Sequence, residues 1–134
     1  MKKVVFINLP VTDLPASMKF YTAIGFSNNP HFTDETAACM VWSDTINVMI
    51  MTHLRWGTFT KRPIPPSTSS EVMLALLVDS RKAVDNLNEL ASENGGTADI
   101  NPRQDLGFMY NRNVADPDGH VWEIIWMDPS SYPR

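Results

Sequence analysis

The chain is poor in the features that mark several functional classes. It has one cysteine, Cys39, among 134 residues. No intrachain disulfide can form, which excludes the stapled framework of a small secreted domain. Cys39 lies in Ala37-Ala38-Cys39-Met40-Val41-Trp42, a stretch that reads as a strand, so it is expected as a packed thiol rather than a nucleophile. Cationic residues are scarce: 11 Lys and Arg stand against 15 Asp and Glu, for a net charge of −4. The densest basic spots, Lys2-Lys3 and Lys61-Arg62, are too short to track a row of phosphates, so nucleic acid is not an expected partner. No apolar run approaches the roughly 18 residues that would suggest a membrane span, and the N-terminus enters a strand after two lysines without the apolar core of a secretory signal. The expectation is a soluble cytoplasmic protein with no membrane partner. What remains is the composition of an ordinary globular chain, 43% hydrophobic and 19% charged, long enough for one domain or two small halves that share a core.

The most informative stretch is Asp116-Pro117-Asp118-Gly119-His120-Val121-Trp122-Glu123-Ile124-Ile125-Trp126. Pro117 presets φ for a turn and Gly119 can adopt positive φ, so Asp-Pro-Asp-Gly predicts a hairpin between Met109–Ala115 and the apolar run after the turn. In the second strand Val121, Glu123 and Ile125 share one face, and Trp122, Ile124 and Trp126 the other. A carboxylate amid so much apolar surface is costly unless something pairs with it. Glu123 is therefore a functional group, an edge-strand glutamate pointing at water, or a structural residue salt-bridged to an arginine such as Arg112.

Taken in order, Val4 to Val11 predicts a strand, with Ile7, Leu9 and Val11 toward a core and Phe6 and Asn8 on the other side. Asp13 is a candidate N-cap, Pro15 suits the first turn, and Leu14, Met18 and Tyr21 recur at helical spacing up to Gly25, giving a helix over 14–24. Strands are expected at Phe26–Phe32, interrupted by Asn28-Asn29-Pro30, then at Thr36–Trp42 and Ile46–Thr52. Residues 54–70, rich in Pro and Ser toward their end, predict a long exposed linker, a candidate lid or dimer contact. The second half opens with a strand over Glu71–Val78 and a helix over 80–94, capped by Ser80, striped by Ala83, Leu87, Leu90 and Ala91, and ended by Gly95-Gly96. A short strand at Thr97–Ile100, a loop at Asn101–Gly107 and the hairpin complete it. Each half thus reads βαβββ. Residues 1–53 and 71–134 are two modules of a single domain.

Leu9-Pro10-Val11-Thr12-Asp13-Leu14-Pro15-Ala16-Ser17-Met18-Lys19-Phe20-Tyr21 resembles the "xVxDLxxSxxFY" opening of helix one in the vicinal oxygen chelate superfamily, which includes glyoxalases, bleomycin-resistance proteins and extradiol dioxygenases. Ile24-Gly25-Phe26 resembles its "LGF" helix exit, and Asp116-Pro117-Asp118-Gly119 with Glu123 its last hairpin. The resemblance covers nearly the whole chain. It implies an α+β fold in which tandem βαβββ modules form a curled mixed sheet, helices outside and a concave face for a ligand. It also implies a homodimer, for which the apolar Trp56, Phe59, Ile64, Trp126, Met127 and Tyr132 are candidate contacts.

Metal-using members of that superfamily hold a divalent ion with four side chains, commonly two His and two Glu, on four strands. The matching positions here are Phe6, Met49 or Met51, Met73 and Glu123, with His53 at the end of the strand that carries the methionines. Only Glu123 retains a donor suited to a hard or borderline divalent ion. The expectation is therefore no metal and no other cofactor. Instead a greasy pocket is expected, with Phe6, Met51, Met73, Ala75 and Leu77 as its wall and Asn8, His53 and Glu123 as its polar members, holding a small apolar or aromatic molecule. The alternative is a divergent lyase, isomerase or dioxygenase with a rearranged metal site or with Glu123 as catalytic general base.

Overall fold

A computed structural model describes residues 1–131, which places Tyr132 outside the described residues. Among the described residues eight strands form two four-stranded sheets, and both follow one order: the first strand of each module pairs with its last, then the third, then the second. The first module runs β1 (Val5–Val11), α1 (Leu14–Ala23), β2 (Ser27–Asn29), β3 (Ala37–Ser43) and β4 (Ile46–Thr52), followed by the short helix α2 (His53–Trp56). The second runs β5 (Leu74–Val78), α3 (Arg81–Glu93), β6 (Gln104–Asp105), β7 (Met109–Ala115) and β8 (Val121–Met127). First and last strands pair in parallel and the others antiparallel, so the tandem α+β reading of the sequence is the fold observed. The chain divides into two compact units between Pro66 and Ser67, inside the segment read as a linker. Among the described residues no helix is long and apolar enough to cross a membrane.

The caps explain where the helices begin. Asp13 accepts a hydrogen bond from the Ala16 amide at 3.0 Å, and Ser80 accepts one from the Ala83 amide at 3.0 Å, each satisfying a donor that the first helical turn leaves over. α1 turns Leu14, Ser17, Phe20 and Tyr21 inward against Val48, Ile50, Ala38 and Met40, which have no exposed surface. Its rings continue into the sheet edge: Tyr21 meets Phe20 and Phe26 edge-on at 5.0 and 5.4 Å, and Phe26 reaches Trp42 at 5.1 Å. Such pairs are worth about 0.5–1.5 kcal/mol each beyond the area they bury.

Four local expectations need correction. The strand expected over Phe26–Phe32 stops at Asn29, because Pro30 has no amide to donate and the Asn29 side chain takes the His31 amide at 3.0 Å to start a 3-10 turn. The strand expected from Glu71 begins at Leu74, so Met73 precedes it. The segment Thr97–Ile100 contributes one isolated bridge, Thr97 to Ala115, and the fourth strand of the second sheet is Gln104–Asp105, within the expected loop. The inner stripe of α3 is Val84, Asn88 and Ala91. Apolar periodicity overlooks Asn88, whose carbonyl oxygen is buried as the acceptor for the Asp99 amide at 3.2 Å.

Candidate functional site

The hairpin turn fixes the register of everything around Glu123. Asp116 Oδ1 accepts from the amides of Asp118 and His120, each at 2.9 Å, and the Gly119 amide reaches the Asp116 carbonyl at 3.0 Å. Gly119 has φ +88, and a Cβ there would stand 2.4 Å from the Ser67 carbonyl oxygen. The site therefore demands glycine both for backbone conformation and for space. With the turn set, Glu123 on β8 lies opposite Asn113 on β7 and Ala75 on β5.

Strand alternation then sorts the second sheet into two chemically distinct faces. One face meets α3. There Arg112 donates to Asp99 through Nε and Nη2, at 3.0 and 2.6 Å, and to Asp85 through Nη1 at 2.9 Å. The Tyr110 hydroxyl donates to the same Asp85 oxygen at 2.6 Å. The Arg112 hydrogen bonds hold the Asp99 carboxyl below the ordinary carboxylate value. Asp85 is lowered first by the Tyr110 hydroxyl and then, against burial, by Arg112. Arg112 is raised in turn, chiefly by Asp99. Burial and then Asp85 raise the Tyr110 phenol. At the sheet edge Arg81 grips both Asp105 oxygens, at 2.8 and 3.0 Å, and lies over the rings of Tyr110 and Trp126. That fork lowers the Asp105 carboxyl to about 2. Arg112 thus faces away from Glu123, and the salt bridge considered for Glu123 does not form.

The other face of this sheet is helix-free. It carries Ala75 and Leu77 from β5, Glu123, Ile125 and Met127 from β8, Asn111 and Asn113 from β7, and Gln104 from β6. The Glu123 carboxylate is half-buried and makes no hydrogen bond or ion pair with any described residue. Beside it runs a row of side-chain amides. Asn101 Nδ2 donates to Asn113 Oδ1 at 2.8 Å, Asn113 Nδ2 to Asn111 Oδ1 at 3.4 Å, and Asn111 Nδ2 to Gln104 Oε1 at 3.3 Å. Asn111 and Asn113 are each 4% exposed. The sequence reading missed this row. Its signal was available: once the turn is placed, Asn113 and Asn111 are the alternate residues facing the same way as Glu123.

In the first module the helix-free face carries Phe6 and Asn8 on β1, Asn47, Met49 and Met51 on β4, and Cys39 on β3, by the same register logic. Phe6 is 57% exposed and Met51 only 2%. Met49 and Met51 are two residues apart and share the face. The Cys39 thiol is buried 3.9 Å from Asn47 Oδ1, and burial pushes its pKa up, as suits a packed thiol. His53 leaves this face. β4 ends at Thr52, whose hydroxyl caps α2 by accepting the Arg55 amide at 3.2 Å, and His53 becomes an exposed first residue of that helix. Met73, ahead of β5, is 53% exposed. Of the predicted site residues, then, Phe6, Asn8 and Met51 lie together on one sheet, and Ala75 and Glu123 are register partners on the other.

The superfamily's divalent-metal positions do not fit such an ion here. Phe6 offers no donor, the methionines offer thioethers, and Glu123 is one carboxylate. Among the described residues no group of three His, Cys, Asp or Glu side chains is placed to hold a metal.

Residues 3–124 match the family model described as the Glyoxalase/Bleomycin resistance protein/Dioxygenase superfamily. No functionally curated protein matches the chain. Among solved structures, a hypothetical protein from S. aureus is 25% identical with a TM-score of 0.78, over 94% of this chain and 95% of that one. A family enzyme from Burkholderia phytofirmans PsJN is 18% identical with a TM-score of 0.77, over 94% and 99%. A bleomycin resistance determinant encoded on the transposon Tn5 is 17% identical with a TM-score of 0.64, over 95% and 99%.

Proposed function

Because the chain belongs to the glyoxalase/bleomycin resistance protein/dioxygenase superfamily, we propose that it works as a binding protein of that superfamily. It holds a small, largely apolar or aromatic molecule on helix-free sheet surface, without the complete metal site of metal-using members. The observation that carries this reading is Glu123, a half-buried carboxylate with no partner among the described residues, set beside Ala75, Leu77 and Ile125. An unpaired carboxylate next to apolar surface is the kind of group that a ligand's polar end completes. Phe6, 57% exposed, supplies apolar surface in the first module.

The test is Glu123→Gln, which keeps the shape and removes the charge. Ligand-induced thermal shifts with small aromatic compounds should shrink, while intrinsic stability stays equal or rises by about 1 kcal/mol, as when a site strained for function is relaxed. A variant that melts several degrees lower yet binds every compound like wild type would reject the anchor role. Metal analysis of protein purified without chelator separates this reading from an enzyme with a rearranged metal site, since one equivalent of a transition metal overturns it. The same proposal includes a homodimer, supported by the exposed Leu54 and Phe59 on and after α2. A monomeric mass by light scattering at micromolar concentration would remove that part. Action in the cytoplasm also belongs to the proposal, and the lone buried Cys39 suits a reducing compartment.

A further inference from the structure

The amide row beside Glu123 specifies which polar group the ligand carries. We infer that the second module recognises a ligand presenting an N–H and a C=O side by side, that is, a primary carboxamide or a cyclic amide such as a lactam or ureide. This rests on the proposed binding function and adds the chemical class of the bound group.

An ionised Glu123 only accepts. Its cross-strand neighbour is Asn113, and in antiparallel register the two Cβ atoms stand about 4.5–5.5 Å apart. The Asn113 carbonyl oxygen is already taken by Asn101 at 2.8 Å. What Asn113 has left is donor capacity: its two amide hydrogens serve one long bond to Asn111, at 3.4 Å. The surface thus sets an unpaired acceptor beside an underused donor. Because Asn101, Asn113 and Asn111 each donate in one direction along the row, which ends on the Gln104 carbonyl oxygen as acceptor, each bond polarises the next, which holds Asn113 with its N–H side available. From behind, Arg112 ties the same strand to Asp85 and Asp99, so β7 cannot easily shift to break the pattern.

An acceptor next to a donor is complementary to a cis N–H/C=O edge. The ligand N–H bonds Glu123 while its carbonyl receives Asn113, with the ligand body against Ala75, Leu77 and Ile125. An amidinium would satisfy Glu123 but direct a second N–H at the Asn113 N–H. A carboxylate would be repelled by Glu123. A ketone could use Asn113 alone.

The experiment is calorimetric titration of benzamide, benzamidinium, benzoate and acetophenone into wild type, Asn113→Asp and Glu123→Gln. Wild type should bind benzamide about tenfold more tightly than acetophenone or benzamidinium, the effect of one added well-made hydrogen bond, and benzoate most weakly. Asn113→Asp replaces the donor with an acceptor and should move benzamidinium above benzamide. Glu123→Gln should cost benzamide about tenfold and leave acetophenone unchanged. If Asn113→Asp does not fold, the four-compound ranking in wild type and Glu123→Gln decides alone. Benzamidinium binding tightest to wild type, or all four compounds binding alike, overturns the amide assignment while leaving the binding function standing. No binding by any of the four to wild type overturns both.

Discussion

The two modules share one topology yet are held together differently. In the first, the layer between helix and sheet is aromatic and aliphatic: Phe20, Tyr21 and Ile24 meet Met40, Val48 and Ile50, all without exposed surface. In the second, the corresponding layer admits Arg112, Tyr110, Asp85 and Asp99 as a hydrogen-bonded ionic cluster, with Asn88 buried in α3. The helix-free faces differ as well. The first offers Phe6, Met49 and Met51 with two asparagines, the second a carboxylate and a row of amides. A duplicated fold thus tolerates opposite chemistries in equivalent layers. Strand order is set by backbone pairing and by the apolar residues that remain, and the charged residues of the second layer enter as a mutually hydrogen-bonded cluster.

The comparison breaks most sharply at the helix–sheet layer. Phe20→Ala should cost about 3–5 kcal/mol, the usual loss for truncating a buried aromatic. Arg112→Leu should cost less, about 2–3 kcal/mol. A fully buried pair broken on one side loses about 3–5 kcal/mol, but the side chains of Asp85 and Asp99 retain 44% and 36% exposure, so water screens them in part. Urea unfolding at neutral pH measures both. Equal costs, or a larger one for Arg112→Leu, would mean that the cluster stabilises the second module more than its partial exposure allows.

Acid should separate the modules next. Asp85, Asp99 and Asp105 have folded-state pKa values lowered from an ordinary 3.8, Asp105 to about 2. A lowered folded value means the folded state holds the proton less tightly than the unfolded one. The stabilisation is therefore complete above the ordinary carboxylate value and is lost as pH falls through the folded values. Lowering pH from 5 toward 2 should raise hydrogen exchange in α3 and β7 before α1 and β4. The cost of Arg112→Leu should shrink over that range and the cost of Phe20→Ala should hold steady. Simultaneous loosening of both modules at a single pH would argue that the ionic cluster does not control the second.

Much of the fold was legible because the strongest signals were local and redundant. Asp13, Ser80 and the Asp116–Gly119 turn each combine a cap or turn residue with a change of hydrophobic period, and each stands where it was expected. Glu123 was likewise legible from alternation within one strand. What escaped was non-local or polar. Gln104–Asp105 is a strand only because β7 lies beside it, and two residues carry no period of their own. Asn88, Asn111 and Asn113 are buried polar residues whose partners come from other elements, so apolar periodicity passes over them. His53 was expected on the strand face; the strand ends at Thr52 as expected, but the Thr52 hydroxyl caps a helix that carries His53 off that face.

The smallest expected effect compares the modules' exposed ion pairs. Lys2 with Asp44 in the first module and Arg81 with Asp105 in the second are both solvent-facing, and pairs of that kind usually contribute little. Their geometries differ. Lys2 makes a single contact with Asp44, both side chains about two-thirds exposed, at 70% and 68%. Arg81 binds both Asp105 oxygens, donates to the Gly107 carbonyl at 2.8 Å, and rests on the rings of Tyr110 and Trp126, 5.1 and 5.0 Å from their centroids. A planar fork held between rings loses little freedom per bond formed, whereas a lysine must surrender a flexible stem for one. Lys2→Gln should leave the thermal midpoint unchanged within error at any salt concentration. Arg81→Gln should lower it measurably. Arg81→Lys should fall with Arg81→Gln rather than with wild type, because an ammonium reproduces the charge but neither the fork nor the stacking. If Arg81→Lys melts like wild type, charge alone accounts for the pair and the two modules' surface ion pairs are equivalent after all.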